Sequence, residues 1–438
     1  MHLTGVIMDS KVRVFLAKKY DLVVGDTFQL FYKGVIEAPN PYCYSIVALC
    51  EKGKSFPRYY EFTPQEEGEY ELTISVYNAE RKLLGSAKTI LKVVNAVKPT
   101  KPVNVLCIGD SLTSNGVWVK ELQRRIAETG GMPEGHGFNN VKFVGSCTKD
   151  DVGFEGYGGW QWNNYSTVIP GAVWVKAPNK KTVEDQHSLW KDENGNVWQI
   201  ETLQVDYLKL NRFSDENCPK PEGGYLTHYK NAVNTEPIKI YSSSEEKPNP
   251  FYDEETKTVD LKSYMKRIGV ENIDVVYILL GSNGLMRQIA FENTRHDYCQ
   301  IVKEEAREVI DLIKKDIPNV KIKILAPQLP SCKGGMGNNY GAELPFADYY
   351  DILHYTTELN MVYEELALED GYKDFLEFVH MTAQFDTEYG YPHTVKPVNC
   401  RSTITEWFDT NGYHPTPEGR YQIADAVYRN LVKELGKM

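Results

Sequence analysis

From residue 103 onward, fully apolar segments alternate with segments of helical spacing, and this alternation restricts the fold more than any other feature of the sequence. We predict strands at VNVLCI, NVKFVGS, IDVVYILLGSNG, VKIKILAPQLP and FLEFVHM. Helices are predicted at VWVKELQRRIAETGG, CQIVKEEAREVIDLIKKDIP, ADYYDILHYTTELNMVYEELALEDG and PEGRYQIADAVYRNLVKELG. Strands that are apolar on both faces and alternate with helices are typical of a parallel sheet with a helical layer on each side. The sequence therefore predicts a three-layer α/β domain over residues 98–438.

The first 97 residues show a period of two instead. In TFQLFY, Phe28 and Leu30 share one face, and in YELTISVY, Leu72 and Ile74 do the same. Further short apolar segments, YCYSIVALC and SAKTILKVV, are separated by turn residues. We therefore predict a small N-terminal β-sandwich of immunoglobulin-like type over residues 1–97. The proline-containing segment NAVKPTKPVN that follows is typical of a short, stiff linker.

A polar, aromatic stretch at about residues 161–255 interrupts the strand–helix alternation. It is poor in helix signals, and HSLWKDENGNVWQIETL is typical of two strands around the turn ENGN. We interpret this stretch as an insertion in the α/β domain that can form a wall of a binding site.

Charge and cysteine content disfavour several classes of partner. The chain has 49 Lys and Arg against 60 Asp and Glu, a formal charge of -11, and no basic patch, so a nucleic-acid partner is not expected. The eight cysteines and the histidines show no metal-ligand spacing, so neither a zinc site nor another cofactor is expected. No apolar run is long enough to span a membrane, and no signal peptide is evident. We expect a soluble protein, with secretion or surface association left open and the oligomeric state unknown.

Polar side chains follow several of the predicted strands at the point where each strand ends. The first strand ends at IGDSL, which delivers Ser111, and the third ends at LLGSNG, which delivers Asn283. The second strand is followed by FEGYGGWQW, which contains Gly159, and His414 precedes the last helix in DTNGYHPTPEG. Carboxyl ends of parallel strands lie at one edge of the sheet, where ligands bind. A hydroxyl, an imidazole and fixed N–H donors at that edge are the groups that acyl transfer requires.

This ordered set resembles the GDSL hydrolases, also called SGNH hydrolases. GDSL at 109–112, Gly159, GSN at 281–283 and NGYHP at 411–415 match the four blocks of the family. The resemblance covers roughly residues 103–436. It implies a flavodoxin-like fold and ester hydrolysis through an acyl-enzyme on Ser111 with His414 as the base. The oxyanion hole would comprise the backbone N–H groups of Ser111 and Gly159 and the side chain of Asn283.

The sequence departs from the family at position 411, where the family's Asp-x-x-His block has an asparagine. Three arrangements follow. Asn411 can present its amide oxygen to the Nδ1–H of His414, Asp409 can do so instead, or Ser111 and His414 can act as a dyad. We favour Asn411 or the dyad, because position 411 keeps the family spacing to His414. We assign Asp110 a structural role, since neighbouring side chains on a turn point apart.

The substrate is predicted from the GDSL resemblance together with the aromatic, polar insertion and the small β-sandwich in front of the α/β domain. We expect deacetylation of a carbohydrate, with Trp160 contacting the substrate and other tryptophans of the insertion either lining the site or filling a core: Trp162, Trp174, Trp190 and Trp198. A lipase or thioesterase is a further option. The alternative from a different class is a binding or structural protein, such as a surface or phage-tail component, whose hydrolase domain has lost its activity.

Overall fold

The computed structural model describes residues 12–38, 40–167, 172–177, 185, 187–203, 207–215, 217–245, 249–285, 295–331 and 349–438. Nine strands occupy the N-terminal part: β1 (Arg13–Val14), β2 (Lys19–Val23), β3 (Phe28–Phe31), β4 (Ile36–Glu37), β5 (Ser45–Leu49), β6 (Lys54–Ser55), β7 (Tyr59–Phe62), β8 (Gly68–Tyr77) and β9 (Leu83–Val94). They form a four-stranded sheet in the order β2-β9-β8-β5, a three-stranded sheet in the order β3-β7-β6, and the pair β1-β4. The predicted alternation is confirmed, because Phe28, Leu30, Leu72 and Ile74 are all buried.

The strands of the remaining chain fall into three groups. The first comprises β10 (Val103–Gly109), β11 (Thr129–Gly130), β12 (Gly135–His136), β13 (Val141–Val144), β14 (Cys147–Lys149) and β15 (Val152–Gly156). The second comprises β16 (Ala172–Lys176), β17 (Leu189–Lys191), β18 (Val197–Leu203), β19 (Tyr207–Arg212), β20 (Tyr225–Lys230), β21 (Ile238–Lys239), β22 (Ser242–Glu245), β23 (Tyr252–Asp253) and β24 (Thr258–Val259). The third comprises β25 (Val275–Leu279), β26 (Lys321–Leu325), β27 (Leu376–Val379), β28 (His393–Pro397) and β29 (Thr405–Asp409). The helices are α1 (Val117–Ala127), α2 (Asn164–Thr167), α3 (Leu261–Arg267), α4 (Arg295–Asp316), α5 (Tyr349–Leu368) and α6 (Pro417–Leu435).

A parallel sheet forms the centre of the molecule, as predicted. Strand β10 pairs in parallel with β25 on one side, and on the other side first with β13 and then, at its carboxyl end, with β15. Strands β26 and β27 extend the sheet in parallel beyond β25. The chain reverses its direction of sheet growth between β10 and β25, so a crevice opens beyond their carboxyl ends.

Alternate residues of the central strands are buried in two different cores, and both cores contain helices. Val105 and Cys107 of β10 share a core with residues of α1 and α6. Leu106 and Ile108 belong to the other core, which contains residues of α3, α4 and α5. Both faces of each strand are therefore apolar, which explains the uninterrupted apolar segments in the sequence.

One element differs from the prediction. The segment FEG was expected in the loop after the second strand, whereas it belongs to β15, which also pairs antiparallel with β14. The strand was missed because its five residues, VGFEG, include two glycines and a charged residue. Glu155 is fully buried and accepts hydrogen bonds from Ser146, Tyr157 and Tyr264. These donors lie outside the strand and stabilise a polar side chain in the core. The sequence of the strand therefore lacks the apolar pattern by which buried strands are predicted.

The inserted stretch folds into a seven-stranded antiparallel sheet in the order β21-β20-β17-β18-β19-β16-β22. The predicted hairpin around ENGN is confirmed by the pairing of β17 with β18. Trp190 and Trp198 are fully buried in a separate core of this sheet. These two tryptophans therefore fill a core, which is one of the two roles considered for them, and they stabilise the insertion.

The N-terminal sheets pack tightly against the α/β part rather than standing apart on a linker. Asp26 accepts hydrogen bonds from Arg125 of α1 and Arg429 of α6, both at 2.6 Å. Asp21 of β2 binds Lys433 of α6 at 2.7 Å. All five side chains are at most 9% exposed, so buried ion pairs connect the two parts. Within the described ranges, no helix combines the length and hydrophobicity needed to cross a bilayer.

Candidate active site

Ser111 and His414 meet at the carboxyl edge of the parallel sheet. The chain turns immediately after β10, where Asp110 Oδ1 accepts a hydrogen bond from the Leu112 backbone N–H at 2.9 Å. This turn presents Ser111 ahead of α1. His414 lies just before α6, and its Nε2 is 3.0 Å from the Ser111 Oγ. The structure thus brings the two residues within hydrogen-bonding distance across 303 positions of sequence.

The loop that carries His414 is fixed by neighbouring backbone and side-chain groups. Asn411 Oδ1 accepts hydrogen bonds from the backbone N–H groups of Tyr413 and His414, both at 3.0 Å. Gln328 donates to the Tyr413 carbonyl at 3.1 Å, and the Ser331 N–H donates to the Gly412 carbonyl at 2.8 Å. The imidazole is therefore held on a rigid turn braced from the segment that follows β26.

The contacts of Asn411 and Asp409 bear on the three arrangements considered behind His414. The Asn411 amide oxygen is occupied by the two backbone donors, and its Nδ2 lies 3.5 Å from His414 Nδ1. Two N–H donors require an acceptor, so the oxygen cannot be exchanged with the nitrogen. Asp409 is fully buried, and its Oδ2 accepts a hydrogen bond from the Ser331 hydroxyl. In this geometry the Asn411 amide oxygen faces the loop backbone, and its amide nitrogen faces His414 Nδ1.

Burial lowers the pKa of His414 below its ordinary value, and the nearby positive charge of Arg420 lowers it further. The lowered pKa favours a neutral imidazole at neutral pH. Only the neutral ring can accept a proton, so burial and the charge of Arg420 favour the form of His414 that can act as a base.

Asn283 lies beside the turn that carries Ser111, and its amide nitrogen has two partners. Nδ2 donates to Asp110 Oδ2 at 3.0 Å and to the Trp160 carbonyl at 3.1 Å. A primary amide has two N–H groups, so both are in use. Burial raises the pKa of Asp110 to about 7, although the Leu112 N–H opposes this. Asp110 thus joins the turn that carries Ser111 to Asn283, in agreement with the structural role predicted for it.

Gly159 occupies the loop after β15, close to the same edge. The Trp160 N–H donates to the Tyr157 carbonyl at 3.3 Å, and Gly159 at φ 81° is the third residue of this turn. A positive φ at that position defines a type II turn and favours glycine. The Tyr157 N–H in turn donates to the Gly109 carbonyl at the end of β10, which holds the turn near Ser111.

Trp160 contacts Asn283 through its backbone carbonyl, whereas its ring is packed against neighbouring aromatic residues. The indole is 3% exposed, stacks on Tyr157 at 4.2 Å and meets the edge of Tyr165 at 4.9 Å. Its predicted contact with substrate stays a prediction, and little ring surface is available for it. Trp162 is also fully buried and donates to Tyr363 at 2.7 Å.

Sequence reading missed the residues that support the site. Gln328 and Ser331 lie directly after β26, at the same sheet edge as the residues that were found. The rule that polar groups follow strand ends would have selected them, had it been applied to LAPQLPS. In the described part of the chain, no cluster of His, Cys, Asp and Glu is arranged to hold a metal ion.

Comparison with known proteins gives distant structural similarity only. No family model matches the chain, and no curated protein sequence matches it. A carbohydrate acetylesterase family member from Sinorhizobium meliloti is 14% identical, with a TM-score of 0.35, over 76% of this chain and 99% of that one. A carbohydrate esterase family 3 protein from Talaromyces cellulolyticus is 12% identical (TM-score 0.34, 77% and 99%), and the M. smegmatis aryl esterase is 13% identical (TM-score 0.34, 76% and 99%). At these TM-scores the similarity does not by itself establish a common fold or activity.

Proposed function

We propose that this protein is a serine esterase of SGNH type with a flavodoxin-like catalytic domain. The observation that carries the proposal is the 3.0 Å distance between His414 Nε2 and Ser111 Oγ. A serine hydroxyl becomes a nucleophile when a neutral base removes its proton, and the lowered pKa of His414 provides that base.

In the proposed reaction, the Ser111 Oγ attacks the ester carbonyl while its proton passes to His414 Nε2. The negative oxygen of the tetrahedral intermediate binds the backbone N–H groups of Ser111 and Gly159 and the Nδ2 of Asn283. His414 then gives its proton to the leaving alcohol, and an acyl-enzyme remains on Ser111. Water activated by the same imidazole releases the acid and restores Ser111.

For Nε2 to accept a proton, the other hydrogen of the ring must be on Nδ1. The Asn411 side chain does not offer an acceptor at Nδ1, because its oxygen binds the loop backbone. We therefore favour a Ser111–His414 dyad, in which Asn411 positions the loop. Within ester hydrolysis, we propose acetylated carbohydrates as the substrate class, as the family resemblance implies.

Labelling with a fluorophosphonate tests this proposal, because the reagent reacts with an activated serine. We expect the native protein to be labelled and the Ser111→Ala and His414→Ala variants to remain unlabelled. Ser45→Ala is the matched control, since Ser45 is exposed on β5 of the N-terminal part and should leave labelling intact.

The second candidate is a non-catalytic binding or structural protein on the same scaffold. The asparagine at 411, where the family has an acid, favours it. Native protein that the fluorophosphonate does not label, and that hydrolyses no short ester, would support this candidate and refute the esterase.

A further inference from the structure

A solvent-exposed hairpin precedes the loop that carries His414. Strands β28 and β29 pair antiparallel from His393↔Asp409 to Pro397↔Thr405. In this register, His393, Val395 and Trp407 lie on one face, while Lys396 and Glu406 lie on the other. The first face is aromatic and apolar, with Val395 58% exposed and Trp407 40% exposed.

Three rings form a rigid aromatic platform, by which we mean Tyr389, His393 and Trp407. The His393 and Trp407 rings stack at 3.5 Å with an angle of 10° between their planes. Tyr389 meets Trp407 edge-on at 5.2 Å and is itself 45% exposed. Of the seven tryptophans, all of which lie in the described residues, Trp407 alone is this accessible.

The platform is continuous with the proposed catalytic loop. The Thr410 N–H donates to the Pro392 carbonyl at 2.8 Å, and the Thr416 N–H donates to the Gly390 carbonyl at 3.0 Å. These bonds connect both sides of the His414 loop to the segment that leads into β28. Trp407 is seven residues before His414, so their Cα atoms lie within roughly 25 Å even in a fully extended chain.

The N-terminal part of the molecule supports the platform from beneath. The Arg58 guanidinium lies 4.5 Å from the Tyr389 ring and forms ion pairs with Asp386 and Glu388. Tyr42 also donates to Glu388 at 3.0 Å. The charge of Arg58 is thereby matched by carboxylates. Lys396 and Glu406 lie on the opposite face of the hairpin, and Asp409, which pairs with His393, is fully buried. This arrangement suits an uncharged ligand.

We propose that the aromatic platform is a subsite for an uncharged saccharide chain whose acetylated unit is bound at Ser111. The inference rests on the proposed function. Flat aromatic faces bind the apolar faces of sugar rings, and rings already held by neighbours lose little entropy on binding. The tryptophans of the insertion that were considered for this role are mostly buried. Trp407, in contrast, has an exposed ring and lies in the strand that leads into the His414 loop.

Two substrates of different size test the proposal. Trp407→Ala should lower kcat/KM for acetylated xylan or acetylated pectin by about five- to tenfold, through a higher KM. Hydrolysis of p-nitrophenyl acetate should not change, because this substrate is too small to reach the platform. Trp407→Phe should restore most of the loss. Tyr241→Ala is the matched control, since Tyr241 is 55% exposed on the inserted sheet and should affect neither substrate.

The outcomes separate this inference from the esterase proposal. If native protein hydrolyses p-nitrophenyl acetate but neither acetylated polysaccharide, or if Trp407→Ala affects both substrates equally, the subsite is wrong and the esterase stands. If Trp407→Ala changes the oligomeric state measured by sedimentation, the hairpin is an interface between copies of this chain instead. If native protein hydrolyses no ester at all, the proposed function itself fails.

Discussion

At the scale of single residues, position 411 shows that an asparagine can hold a loop without offering an acceptor to the imidazole beside it. An aspartate and an asparagine both offer an oxygen to the backbone N–H groups of Tyr413 and His414, and Asn411 does so at 3.0 Å. Only the aspartate offers a second oxygen that can accept the Nδ1–H. The exchange therefore preserves the loop and removes the acceptor behind the imidazole.

Replacing Asn411 by aspartate should therefore improve the proposed catalyst. A carboxylate beside Nδ1 favours the tautomer in which Nε2 is free, and we expect kcat to rise by about tenfold or more. The negative charge also raises the pKa of His414. Because the base must be neutral, the acid limb of the kcat–pH profile, which the lowered pKa of His414 keeps at low pH in the native protein, moves to higher pH.

Asp409→Asn serves as the control for this variant and should leave the acid limb in place. Should Asp409→Asn instead abolish activity as completely as His414→Ala while the fold is retained, Asp409 would be the group behind the imidazole.

At the scale of elements, β15 depends on a single buried carboxylate. Glu155 connects this strand to Ser146 at 2.9 Å, to Tyr157 at 2.6 Å and to Tyr264 of α3 at 2.6 Å. Burial raises the pKa of Glu155, and the hydrogen bonds oppose that rise. Because Tyr157 begins the turn that contains Gly159, the same carboxylate fixes one proposed donor of the oxyanion hole.

Glu155→Gln should accordingly lower both stability and activity. An amide nitrogen replaces one acceptor oxygen, leaving a buried donor unpaired, so we expect a loss of about 1–3 kcal/mol in the free energy of unfolding measured with urea. Activity should fall as well, because the Gly159 turn loosens. Glu71→Gln on the exposed face of β8 is the control, and equal stability of the two variants would contradict the role assigned to Glu155.

Sequence patterns predicted the elements whose buried faces are apolar, and failed where polar contacts replaced apolar ones. The five main strands of the sheet and the hairpin around ENGN were found, because their buried residues are hydrophobic. Strand β15 was missed because Glu155 finds its partners elsewhere in the chain. The four residues of the candidate site were found from strand ends and family blocks. Gln328 follows a strand end and could have been selected by the same rule, whereas the exposure of Trp407 depends on tertiary packing, which one sequence does not show.

At the scale of the whole molecule, the N-terminal sheets and the α/β part share buried charges. Asp26 is bound by two guanidinium groups from different helices. Burial alone would raise its pKa, but the charges of Arg429 and Arg125 outweigh burial and hold it below the ordinary value. Such an interface couples the two parts more strongly than a proline-containing linker would. The predicted boundary at residue 97 thus separates two kinds of sequence pattern and sheet topology. We propose that the two parts nevertheless unfold together.

Asp26→Asn should destabilise the entire protein, because two buried guanidinium groups lose an anion. We expect a loss of about 3 kcal/mol at neutral pH, measured by denaturant unfolding, with a single transition. Ionised Asp26 stabilises the fold above about pH 4, and this contribution is lost as the pH falls through the lowered pKa, so the two proteins converge in acid. Glu69→Gln, at an exposed ion pair, is the control. Two separate transitions in either protein would show that the parts unfold independently.

The two hydrogen bonds already made by the Asn283 amide affect which ligands the site can retain. A neutral ester carbonyl gains little by displacing the Trp160 carbonyl or Asp110 from this nitrogen. A full negative charge gains a charge-assisted bond and can displace one of them. Asn283 would then lower the activation barrier of the reaction, but it would add little to the affinity for the substrate. Boronic acids, which become anionic adducts on a serine, should be far stronger inhibitors than ketones or amides of the same shape.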